Sequence, residues 1–137
     1  MQILLLENDR RVMAVLRSGL QRIGHSISQA TTAAQALEAC SVLNKHFDLL
    51  ITAVNLPVSS GLDVALQLKA WMPSLKILLT SGLPLGYLNH QHIAQFNELP
   101  SDSVLFMEKP FRLADLRSTV DLLMRPRPEY HTLVAIA

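Results

Sequence analysis

Four short stretches of this chain carry the side chains from which a chemical site could be built. They are the acidic cluster Glu7-Asn8-Asp9, the segment Ala53-Val54-Asn55-Leu56-Pro57, the hydroxyl pair Thr80-Ser81, and Lys109 followed by Pro110. Carboxylates bind a hard cation such as Mg²⁺. A lysine offers a point charge to a phosphoryl oxygen, and a hydroxyl donates a hydrogen bond to another. Brought together, these groups are the parts of a phosphoryl-transfer site, whose catalysis is mostly positioning and charge neutralisation. Each has a plainer reading. Asn8 or Asp9 could cap the following helix, Lys-Pro is a common surface pair, and Thr80-Ser81 could be strand-end hydroxyls.

The elements that must position them follow from hydrophobic period. Ile3–Leu6 is wholly apolar, the signature of a strand covered on both faces. A helical face at Val12, Val15, Leu16, Leu20 and Ile23 is stopped by Gly24. Ile27–Ala30 is a second strand, and Thr31 or Thr32 caps a helix facing inward through Ala33, Ala36, Leu37 and Cys40. Phe47–Thr52 is a third strand, and the helix Gly61–Trp71 ends before Pro73. Leu75–Thr80 is the fourth strand, Tyr87–Asn97 a helix, and Ser103–Met107 the fifth strand. The last helix shows Leu113, Leu116, Val120 and Leu123 and ends before Pro126. Five strands alternating with five helices give a doubly wound α/β fold with a five-stranded parallel sheet, flavodoxin-like in order. Chemistry in such a sheet gathers at the carboxyl ends of the strands, where the four stretches stand.

These residues resemble, over 2–124, the receiver domain of response regulators in two-component signalling. The resemblance rests on ILLLEND, on FDLLITAVNLP followed by SGLDV, on KILLTSG and on FMEKPF, in order and on the expected strands. It implies that Lys109 pairs with the phosphoryl group, that a cis peptide bond precedes Pro110, and that Thr80 and Phe106 form the switch pair. It makes Glu7, Asn8 and Asp9, with the backbone carbonyl of Asn55, the metal-binding positions. Alignment puts Ala53 where such domains carry the phosphoryl-accepting aspartate, and Asn8 where they carry the second acid. A methyl group cannot be phosphorylated. Glu7 against Lys109 sums to zero charge, so no cofactor is expected beyond weak Mg²⁺.

The function expected is therefore that of a degenerate receiver, a phosphorylation-independent interaction module without catalysis. Its partners would be a histidine kinase or another signalling protein, with a homodimer through the fourth helix, fifth strand and fifth helix. An alternative reading is a conventional phospho-accepting receiver in which Ala53 is an introduced change. A third, an unrelated flavodoxin-like enzyme, lacks the glycines of a phosphate-cradling loop.

Composition bounds the rest. The 137 residues fit one domain, read as a receiver-like unit over 1–124 and a tail over 125–137. Half are apolar, 17% are charged, and the net charge is +1, which gives no field for nucleic acid or anionic lipid. No apolar run is long enough to span a bilayer and no secretion signal opens the chain, so a cytoplasmic location and no membrane partner are expected. With the chain closing soon after the last helix, no DNA-binding effector is expected either. Cys40 reads as a small core residue, and Trp71 and Phe106 as packing. His90 and His92, two apart on a helix, do not share a face and read as no metal pair. The apolar stretch Thr132–Ala137 is expected to be covered rather than exposed.

Overall fold

In the computed structural model, residues 1–126 are described. The sequence alternates β1 (Gln2–Leu6), α1 (Arg10–Arg22), β2 (Ser26–Ala30), α2 (Ala33–Ser41), β3 (Leu49–Ala53) and α3 (Gly61–Trp71). It continues through β4 (Lys76–Ser81), α4 (His90–Glu98), β5 (Val104–Glu108) and α5 (Leu113–Met124). All five strands are parallel, in the order β2-β1-β3-β4-β5. The order reverses between β1 and β3, so a crevice opens at their carboxyl ends. The tail reading from residue 127 onward, including the expectation that Thr132–Ala137 is covered, lies outside the described residues.

Two apolar layers sandwich the sheet. On one face Ile3, Leu5, Ile51 and Leu78 meet Leu16 and Leu20 of α1 and Leu116, Val120 and Leu123 of α5. On the other, Leu4, Leu6, Leu50 and Ile77 meet Ala36 of α2 and Leu62, Ala65 and Leu68 of α3. Alternate residues of each central strand thus feed opposite cores, which is why those strands read as unbroken apolar runs. The helix ends follow local chemistry. Thr32, Ser60 and Asn89 cap α2, α3 and α4 by accepting from Gln35, Leu62 and His92 amides. Gly24, at φ +94°, closes α1 in a Schellman turn, donating to Gln21 while His25 donates to Leu20.

The structure corrects four sequence expectations. The buried face of α1 is Met13, Leu16 and Leu20. Val15 is 51% exposed, because the 13–16–20 spacing turns it outward. Tyr87 belongs to a 3-10 turn, Leu85–Tyr87, and is largely exposed; α4 begins three residues later at His90. Trp71, at the last position of α3, is half exposed rather than packed. Phe47 and Asp48 precede β3, and Asp48 instead accepts a hydrogen bond from the Gln2 amide.

Candidate functional site

The carboxyl ends of β1, β3, β4 and β5 bring the sequence-predicted residues to one end of the sheet. Leu6 pairs with Thr52, Thr52 with Leu79, and Leu79 with Phe106. One residue further, Ala53 lies level with Thr80, and Thr80 with Met107, and continuing the β1 register places Glu7 beside Ala53. Ala53, the last residue of β3, is 4% exposed, and Thr80 is buried.

Glu7 is 2% exposed, an unfavourable place for a charge unless both carboxylate oxygens are matched. They are. The Lys109 ammonium, which remains partly exposed, donates to Glu7 Oε1, and the Asp9 amide donates to Oε2 at 3.2 Å. Lys109 is brought there by β5 and by the cis bond to Pro110, and its own amide donates to the Ser81 carbonyl at 2.7 Å. The cis bond implied by the family resemblance is present.

Asp9 serves a different purpose. It is the N-cap of α1, and its Oδ1 accepts from the Arg11 and Val12 amides at 2.9 and 3.2 Å. Asn8, between the two acids, is exposed. Asn55 is also exposed and bridges Ser60 across a tight loop in which the Leu56 amide donates to the Ser59 carbonyl. Ser81 turns inward on its own loop, Oγ accepting from the Leu83 amide at 3.0 Å. Phe106 is half-buried against the core that holds α3 and α4. His90 is exposed and caps nothing; among the described residues no cluster of three His, Cys, Asp or Glu side chains stands ready for a metal. Burial raises the Cys40 thiol above its ordinary pKa, as suits a packing residue.

The base of the site is closed by Gly61. A Cβ there would stand 1.9 Å from the Ala53 carbonyl oxygen and 2.6 Å from Thr52 Oγ1. Glycine at this position lets α3 start against the end of β3, with the Gly61 amide donating to the Val54 carbonyl at 2.8 Å. The Thr52 hydroxyl donates to the Ala53 carbonyl at 3.0 Å. Neither Thr52 nor this use of Gly61 was visible as site chemistry in sequence; a glycine following Ser60 at a helix start was the available signal.

The family model described as the response regulator receiver domain matches residues 3–121. The chain is 27% identical to the response regulator receiver protein CpdR of Brucella abortus (strain 2308), over 90% of this chain and 96% of that protein. It is 28% identical to sensor kinase CckA of the same organism, over 86% of this chain and 12% of that protein. Among solved structures it is similar to a CheY-like receiver domain protein from Methanospirillum hungatei JF-1. The TM-score is 0.75 at 20% identity, covering 88% of this chain and 90% of that one. It is also similar to response regulator TrrA from Thermotoga maritima in complex with Mg²⁺-BeF. There the TM-score is 0.71 at 23% identity, covering 90% of this chain and 98% of that one.

Proposed function

The chain belongs to the response regulator receiver domain family, and from that premise we propose that it works in two-component signalling as an interaction module that takes no phosphoryl group on residue 53. Ala53 stands at the acceptor position in this reading, the end of β3 level with Thr80. Its side chain has no oxygen to attack a phosphodonor.

The observation that carries the reading is the pairing of Lys109 with Glu7. In a phospho-accepting receiver the lysine answers a charged acceptor and then its phosphoryl group. Here its charge is already spent on a carboxylate whose second oxygen is also bonded. The remaining donors fit a divalent cation poorly. Glu7 is engaged by Lys109, Asp9 is occupied at the helix cap, and Asn8 and the Asn55 carbonyl are neutral. No step of the proposed function passes through a metal. Signalling then rests on partner binding, with a histidine kinase or another signalling protein selecting one conformation of the domain. A second copy through α4, β5 and α5 is the further contact proposed.

Intact-mass measurement after incubation with Mg²⁺ and acetyl phosphate tests this directly. No adduct is expected. An adduct mapping to Asp9 or Asp48 would overturn the reading. If the single variant Ala53→Asp gains an adduct, the site retains working phosphorelay parts and the conventional reading gains. If only Ala53→Asp combined with Asn8→Asp does so, the loss of function is distributed over both positions, as proposed.

A further inference from the structure

At one edge of the sheet, adjoining the strand-end site, β2 pairs among the described residues with β1 alone and leaves its other side open. The Ser26 amide donates to the Met1 carbonyl and the Ala30 carbonyl accepts from the Glu7 amide, so the even-numbered residues of β2 face β1. The amide and carbonyl of one strand residue point the same way, so Ile27 and Gln29 turn theirs to the open side. That edge lies on the floor of two adjoining grooves, of about 840 and 560 Å³, which share Arg17, Gln29 and Gln35. One wall is α1 and the other is α2.

The walls are basic. The α1 sequence RRVMAVLRSGLQR holds four arginines and no acid. Among the described residues, the ion pairs are Lys109–Glu7 and Arg112–Asp115, so these guanidiniums have no carboxylate partner. Arg10, Arg17 and Arg22 line the larger groove, and Lys45 joins Arg17 in the smaller. Against these four cations stand Glu7, already paired with Lys109, and Glu38.

The geometry points to a docking edge for an extended, acidic segment of a partner protein, added as a strand beside β2 with its carboxylates on the arginines of α1. Spacing selects this occupant. At about 1.5 Å per helical residue, Arg10, Arg17 and Arg22 are spread over roughly 18 Å. That is too far for one phosphate to bridge, but it is the length of five or six residues of extended chain at about 3.3 Å each. The open edge supplies main-chain hydrogen bonds, and the flanking charges set the preference among partners. Nucleic acid suits the grooves less well, since no aromatic side chain lines either for bases to stack on. A second copy is disfavoured as well: antiparallel β2–β2 pairing would set the two Arg17 side chains against each other.

A fluorescein-labelled nonapeptide of alternating Thr and Glu is the probe, with its Lys-for-Glu counterpart as control. Fluorescence anisotropy and ¹⁵N-amide NMR of the full chain are the readouts. The acidic peptide is expected to bind, to weaken several-fold between roughly 50 and 300 mM salt, and to shift the Ile27 and Gln29 amides. The exposed Arg17→Glu change should weaken it about tenfold, while Arg17→Lys largely preserves binding. A peptide with alternate amides N-methylated keeps its charge and should lose binding, since the edge contacts need its N–H groups. Equal binding of the methylated or the lysine peptide, or shifts confined to other amides, would overturn the proposal. So would equal binding of a thymidine oligonucleotide, concentration-dependent self-association abolished by Arg17→Glu, or no shift at millimolar peptide.

Discussion

Glu7 and Ala53 set the character of the strand-end site between them. A carboxylate as buried as Glu7 persists because Lys109 and the Asp9 amide match both of its oxygens. Replacing Lys109 with Met strands the charge. Removing one partner of a fully buried pair costs about 3–5 kcal/mol, and the partly exposed ammonium here brings the expectation down to about 2 kcal/mol. Urea denaturation of the single variants and of Glu7→Gln/Lys109→Met closes a double-mutant cycle. The double variant should recover at least half of the loss, and a strictly additive result would mean the pair is not coupled. Ala53→Asp acts in the opposite sense, adding a second carboxylate beside Glu7 to compete for one lysine. Like-charge crowding of this kind should cost about 1 kcal/mol. By scanning fluorimetry in EDTA the melting temperature should fall by about 4 °C. An unchanged or higher value would place residue 53 elsewhere.

At the level of elements, the start of α1 separates capping from metal binding, since Asp9 was a candidate for both. As a cap, Asp9→Ala should cost about 1 kcal/mol and leave any response to Mg²⁺ unchanged. If that response disappears with Asp9, the carboxylate is a ligand. The β3–α3 junction is stricter. A methyl at Gly61 collides with backbone, so Gly61→Ala should cost at least about 2 kcal/mol, while Gly82→Ala, with open space around it, should be nearly neutral. What sequence could disclose tracks this same difference between local and assembled signals. The unbroken apolar strands and the bounds of α3 were legible, the latter because Ser60-Gly61 and Pro73 punctuate both of its ends. The order Glu7, Ala53, Thr80, Lys109 was legible because each sits at a strand end. The face of α1 was not: Val12, Val15 and Leu16 allow more than one helical stripe, and packing chose the one through Met13. The start of α4 was blurred because HQHIAQFNE holds few apolar residues and buries none. The arginines of α1 carried no signal in sequence, because the grooves they line exist only once β2 and α2 stand beside them.

For the whole molecule, the charge balance of the site becomes a statement about stability. A ligand that binds the folded chain alone stabilises it by RT ln(1 + [L]/Kd), so the melting response to Mg²⁺ measures affinity without a phosphodonor. A resident site with Kd near 0.1 mM would add about 2.7 kcal/mol at 10 mM Mg²⁺. In a domain of 137 residues that is roughly 10 °C. With Glu7 held by Lys109 and Asp9 by the α1 amides, affinity should be millimolar or weaker, and the same addition should give no more than about 1.4 kcal/mol, or some 5 °C. Sodium chloride matched for ionic strength rather than for concentration controls for screening. The Ala53→Asp/Asn8→Asp variant should move toward the larger shift, because two added carboxylates let Mg²⁺ neutralise charge that Lys109 alone cannot. A large shift in the unaltered chain would mean that Glu7 exchanges its lysine for a metal, and the silent-receiver reading would fail with it.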